Sequence, residues 1–165
     1  MHKNSGFTLV ELMVTVVVAG ILFLVALPNM RSFIQNNRIA GAANQAQTAL
    51  FLARSEAIKQ QRNAHVTAAA SGGGGNEFGP GFTVWVDSDG DGTRDSDELL
   101  STIDALPGGM TLNAVPNATD LVFSGDGRID ATRALQLRIP NCIGNQARDI
   151  SISVIGRISV ARLDC

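Results

Sequence analysis

The 165-residue chain has no tyrosine, one tryptophan and seven phenylalanines, so aromatic residues make up 5% of it. So sparse a set offers little for stacking nucleobases. Charge is scarce as well, at 17% of residues against roughly 25% in an average soluble domain. With 45% hydrophobic residues and a mean hydropathy of +0.14, the composition excludes a disordered tail or an acidic solvating segment. A net charge of -2 excludes a globally basic coat for nucleic acid. Two cysteines, Cys142 and Cys165, are too few for a disulfide framework or a four-cysteine zinc site. They suffice for one disulfide in an oxidising compartment. The length fits one domain, and no nucleophile, base and orienting group fall into a catalytic pattern, so an enzyme is not expected.

What the chain does have is concentrated at its start. Residues 7–27 are apolar or glycine apart from Thr8, Glu11 and Thr15, and a helix of that length spans a bilayer core. A six-residue leader, 1–6, precedes the run, and no small-x-small cleavage site follows it as a secretory signal requires, so the run is expected to stay in the mature protein. Lys3 and His2 on one flank face Arg31 and Arg38 on the other, which leaves orientation undecided. Glu11 is the informative residue: a carboxylate in a spanning helix costs a few kcal/mol unless paired or protonated. No basic residue of the same helix can reach it. Cleavage after Gly6 would free an amine at Phe7 that a neighbouring subunit could offer.

The stretch Gly6-Phe7-Thr8-Leu9-Val10-Glu11-Leu12-Met13 resembles the class III signal of type IV pilins and type II secretion pseudopilins. The resemblance implies that a prepilin peptidase cuts after Gly6 and that Phe7 is N-methylated. It also implies that Glu11 pairs with the N-terminus of an adjacent subunit during assembly. The implied partners are other pilins, minor pilins or pseudopilins, the prepilin peptidase and an inner-membrane assembly platform.

Pro28 is expected to kink or interrupt the helix, since it lacks an N–H and its ring clashes with the preceding turn. Yet residues 29–62 resume helical spacing, with Phe33, Ile34, Ala42, Ala43, Ala46, Ala49, Leu50, Ala53 and Ala57 forming a stripe suited to lie on a sheet. After Asn63 the pattern turns to two-residue alternation punctuated by turn residues, as in an antiparallel sheet. The runs are 65–69, 81–86, 99–103, 110–115, 121–124, 134–139, 150–155 and 157–163, the last two forming a hairpin. Ser71 to Gly75 is a flexible connection by composition, and its sequel lacks the Gly-Lys-Ser or Gly-Lys-Thr of a phosphate loop.

This order, with Ala53-Arg54-Ser55-Glu56-Ala57, the strand from Gly81 to Asp87 and the late Gly156-Arg157, is similar to the GspH/FimT family of minor pilins and pseudopilins. The resemblance implies an α+β type IV pilin fold, a long N-terminal helix packed on an antiparallel β-sheet domain. Its parts would be a leader at 1–6, a transmembrane helix at 7–27, an amphipathic continuation at 28–62 and a periplasmic β-rich domain at 63–165. FimU-like minor pilins resemble the chain further in their late cysteine pair. The strand pattern returns Cys165 to the end of the sheet that holds Cys142, and closing that loop constrains the unfolded chain by roughly 3 kcal/mol. His65 stands apart from other ligand-type residues and reads as an ordinary strand residue.

Two further features are candidate sites. Residues 87–98 fit the calcium-loop template D-x-D-x-D-G-x5-E, with Asp87, Asp89, Asp91, Thr93, Asp95 and Glu98 as candidate ligands. A strand rather than a helix precedes the loop, so it would be a lone loop, and solvated turn chemistry is the alternative reading. From Arg128 onward six arginines face three aspartates. Some FimT-like relatives are thought to capture DNA through a late Gly-Arg-x-Arg motif, but here Ser159 replaces the second arginine. Arg157 and Arg162 remain the candidate DNA contacts, while the scarcity of aromatics argues against nucleic acid as a partner. The sequence thus points to a minor pilin that assembles into, and primes, a type IV pilus. A type II secretion pseudopilin H is the alternative, and a DNA-binding minor pilin is the third reading.

Overall fold

A computed structural model describes residues 7–69 and 74–165, without the side chains of 24–29 and 31. The first element is α1, Leu9–Gln60. Thr8 caps it, its hydroxyl accepting the Glu11 N–H at 3.2 Å, and Thr8-x-x-Glu11 has the spacing of a capping box. Glu11 in the first turn and Lys59 in the last each complement the helix dipole. The helix runs through Pro28 without interruption. It ends where Gln61 takes a left-handed conformation (φ 52) and the Arg62 N–H bonds back to the Ala57 carbonyl at 3.2 Å, a Schellman closure. A Cβ on Gly125 would meet the backbone of Gln61 at 2.6 Å, so that loop packs directly on the helix end.

The chain divides into two units, residues 1–36 and 37–165. In the second, Ile39, Ala42, Ala43, Ala46, Ala49, Leu50, Ala53 and Ala57 of α1 are buried in one core with residues from both sheets. Phe33 and Ile34, expected in this stripe, are instead exposed and belong to the first unit. The stripe therefore begins at Ile39, where sheet residues become available to cover it.

The β region forms two antiparallel four-stranded sheets rather than one. The strands are β1 Ala64–Ala68, β2 Phe82–Val86, β3 Leu99–Ile103, β4 Thr111–Val115, β5 Asp120–Phe123, β6 Arg133–Arg138, β7 Ala147–Ile152 and β8 Ile158–Leu163. Their orders are β3-β2-β1-β5 and β4-β6-β7-β8. The chain thus leaves the first sheet for β4, returns for β5 and leaves again for β6. Both sheets turn apolar residues into the shared core, among them Val66, Val84 and Phe123 from the first and Leu112, Leu135 and Ile150 from the second.

Most strand boundaries fall within a residue of expectation. The exception is β7, expected at 150–155 and found at Ala147–Ile152. Val154 and Ile155 read as strand residues but are exposed in the turn, which Gly156 closes with φ 73 and an N–H bond to the Ser153 carbonyl. The hairpin itself is present, Ile152 facing Ile158. Of the flexible connection 71–75, only Gly74 and Gly75 are described, both with positive φ; the rest lies outside the described residues.

Candidate assembly site

From Phe7 to Phe23 every residue of the N-terminal segment is exposed, on all sides of the helix, with the large apolar side chains between 49% and 81% accessible. A helix apolar all round is one that another apolar phase or other helices must cover. Among the described residues no helix is long and apolar enough to cross a membrane, the side chains of 24–27 lying outside the description. Glu11 is exposed within this apolar surface. Phe7 stands at its start, and Gly6, with the leader, lies outside the described residues.

The acidic connection joins β2 to β3. Asp87, Asp89 and Asp91 each place a carboxylate oxygen within 4.8 Å of the others, so three of the six predicted ligands converge. Asx-type bonds shape the turn, the Gly90 N–H donating to Asp87 Oδ1 at 2.8 Å and the Asp91 N–H to Asp89 Oδ1 at 3.1 Å. Thr93 donates its hydroxyl and its N–H to the Asp91 carboxylate, which holds that pKa below the usual range. Glu98 is 5% exposed and accepts the N–H groups of Ser88 at 2.6 Å and Asp95 at 3.1 Å, clamping the two ends of the loop together. Asp95 has its pKa raised, first by desolvation and then by repulsion from Asp91, Glu98, Asp89 and Asp97. Arg94 folds back onto the first sheet, donating to the Thr83 hydroxyl at 3.1 Å.

At the C-terminal end, Cys142 and Cys165 are disulfide-bonded with their Cα atoms 5.6 Å apart. Arg138 donates to the Cys165 carbonyl oxygen at 2.8 Å. The two candidate DNA contacts are not brought together: Arg157 lies in the β7–β8 turn and Arg162 near the far end of β8, about 16 Å along an extended strand.

Three arrangements were not legible beforehand. Arg54 leaves the helix to donate to the carbonyls of Gly127 and Ile155, both at 3.1 Å. A Cβ on Gly156 would collide with the Gly127 carbonyl and with Arg54. The late glycine is thus a packing residue of this junction. Glu77 is 1% exposed and accepts the N–H groups of Gly75 at 3.1 Å and Ala114 at 3.3 Å. With Asn76 accepting from the Leu112 N–H and Phe78 donating to the Leu112 carbonyl, residues 76–78 cover the edge of β4. Last, His65 is not solitary: its Nδ1 lies 2.7 Å from Asp120 Oδ2, and its ring stacks on Trp85 at 4.1 Å. Thr67 ties the pair together, donating to Asp120 and accepting from the Trp85 indole. The nearest sequence signal was the register that brings 65 opposite 85; nothing local singles out Glu77.

Comparison with known proteins places this geometry. The family model for type II transport protein GspH matches residues 42–156, and that for the prokaryotic N-terminal methylation motif matches residues 1–27. A competence protein, ComGC of Halalkalibacterium halodurans, is 50% identical over 40 residues, covering 24% of this chain and 36% of the relative. The match therefore spans about a third of that relative's length. The fold is similar to the type IV minor pilin FimU of Pseudomonas aeruginosa, with TM-score 0.62, 24% identity and coverage of 78% of this chain and 92% of that one. It is also similar to the minor pseudopilin EpsH of the Vibrio cholerae type 2 secretion system, with TM-score 0.53, 14% identity and coverage of 76% and 97%. An N-terminal methylation motif, a helix packed on two antiparallel sheets and a family model covering most of the chain agree: this protein belongs to the GspH/FimT-type pilins and has the type IV pilin fold.

Proposed function

We propose that this protein is a minor pilin that joins, and primes, a type IV pilus filament. Its 7–27 helix would anchor it in the inner membrane with the β-rich unit in the periplasm, and would then pack among the helices of other pilins. The observation that carries this reading is the N-terminal helix, apolar on every side and interrupted by Glu11. Prepilin peptidase would cut after Gly6, and Glu11 would neutralise the amine of a neighbouring Phe7. The action is helix packing, in keeping with a family of structural proteins.

A second reading is the H pseudopilin of a type II secretion system, favoured by the description of the matched family model. Deleting the gene and measuring surface pili and secreted hydrolases in the same cultures separates the two. Lost pili with normal secretion supports the minor pilin. Normal pili with hydrolases trapped in the periplasm supports the pseudopilin, and no defect in either refutes both. A third proposal concerns the acidic loop: Asp87, Asp89 and Asp91 would take calcium and order the β2–β3 connection at a subunit contact, with the Thr93 carbonyl, Asp95 and Glu98 adjusting to complete the oxygen set. A melting temperature unmoved by calcium would remove that proposal.

A further inference from the structure

The second sheet treats its two edges differently. The β4 edge is covered by residues 76–78, which satisfy the Leu112 and Ala114 amides. The other edge is β8, whose partner among the described strands is β7 alone. Six residues long, β8 contains no proline and pairs with β7 in unbroken register, so of the usual devices that keep an open edge from pairing it carries only the charge of Arg162. Its central residues are exposed, Val160 included.

The register shows what such an edge would select. Ile152, Ile150 and Arg148 of β7 stand opposite Ile158, Val160 and Arg162. Alternation puts these three rows on the face that carries the core residues Ile150, Ile152 and Ile158. Two rows are apolar and the third sets two like charges directly opposite each other, which is destabilising in an antiparallel pair. Arg148 spends its guanidinium on the carbonyls of Asn145, Gln146 and Ala147. Arg162 makes no hydrogen bond or ion pair among the described residues. An open edge and an unneutralised arginine row are independent features, and both are answered by one occupant.

We propose that β8 accepts an extended, acidic segment of another subunit as a ninth strand. The added strand would run antiparallel, with a carboxylate opposite Arg162 and apolar side chains two and four residues later, opposite Val160 and Ile158. Main-chain bonds supply the affinity and the alternating side chains the selectivity. The inference is independent of which machine the protein serves.

The test uses the full chain in detergent and a synthetic peptide in which a glutamate is followed by two valines at alternate positions, with threonines between. Binding is read by fluorescence anisotropy, and amide exchange is followed across 158–163. The expected result is saturable binding that slows exchange of the β8 amides at least tenfold. Exchanging the glutamate for lysine, or Arg162→Ala in the protein, should weaken binding about tenfold. Peptides N-methylated at alternate residues, made in both frames, should lose binding in the frame that blocks the bonds to β8. Equal binding by both N-methylated frames would reduce the contact to charge attraction and overturn the proposal. So would absence of peptide binding alongside Arg162-dependent binding of a short DNA duplex, which would assign the arginine row to phosphates. A Ser159→Thr variant, conservative on the opposite face, should bind as the wild type does and guards against misfolding as the cause of a loss.

Discussion

Glu77→Ala tests how the segment after the glycine-rich connection is fastened. The wild-type carboxylate is 1% exposed and accepts backbone N–H groups from Gly75 and Ala114. Burial alone would push its pKa up, but the bonds from Gly75, its own backbone and Ala114 outweigh that, and the net shift is downward. Each N–H bond to a charged acceptor contributes about 1.5–3 kcal/mol. Removing both strands the Ala114 amide at the edge of β4 while sparing the cost of burying a charge. A loss of about 3 kcal/mol is expected, or about 9 °C in melting temperature. Urea unfolding followed by the fluorescence of Trp85, the chain's one tryptophan, measures it. The pH dependence adds a sign. Because the folded pKa is the lower one, Glu77 contributes its full stability above the unfolded value of about 4.3 and loses it as pH falls through the folded value. Glu77→Gln should therefore be less stable than wild type at pH 7 and converge with it at acidic pH. A Glu77→Ala protein within 0.5 kcal/mol of wild type, or a gap to Glu77→Gln that does not narrow on acidification, would refute the reasoning.

Gly156→Ala should destabilise by about 3 kcal/mol, because φ is 73 and the new methyl meets the Gly127 carbonyl and Arg54. Arg54→Ala should cost about 2 kcal/mol, and the double variant should cost less than the sum, since both disrupt one junction; strict additivity in chemical denaturation would contradict a shared site. Reducing the Cys142–Cys165 bond, which closes a 23-residue separation, should lower stability by about 3 kcal/mol, seen as a shift of the urea midpoint with and without a phosphine reductant. Asp95 carries a raised pKa, so its charge opposes folding above that pKa, and the opposition disappears as pH falls through it. Asp95→Asn should accordingly slow amide exchange in the acidic loop at pH 7 without added metal, and make no difference at low pH; faster exchange in the variant would show that the carboxylate instead holds the loop.

The helix was legible because its cues are local. Apolar residues run unbroken but for three positions over 7–27, alanines recur at helical intervals beyond, and the switch to two-residue alternation after Asn63 marks the β region. Strand positions followed for the same reason. The β7 boundary failed where Val154 and Ile155 satisfy a strand pattern but Gly156 dictates a turn. The split into two sheets was hidden because alternation reports which face is buried and carries no information on which strand is the neighbour. The acidic loop was recognisable as a template, whereas the engagement of Glu98 by Ser88 and Asp95 required the loop's path in space.

The sequence by itself determined the apolar N-terminal helix, its processing motif, the small-residue stripe and the closing β7–β8 hairpin, all set by residues close along the chain. Tertiary structure alone decided the rest. It brought Arg54 to carbonyls 73 and 101 positions away, set Glu77 beneath the edge of β4, closed His65 against Asp120 and Trp85, and left β8 with no second strand beside it among the described residues. Each of those depends on which distant segments share a surface, a choice made by how the whole core fills and not by the preference of any short stretch.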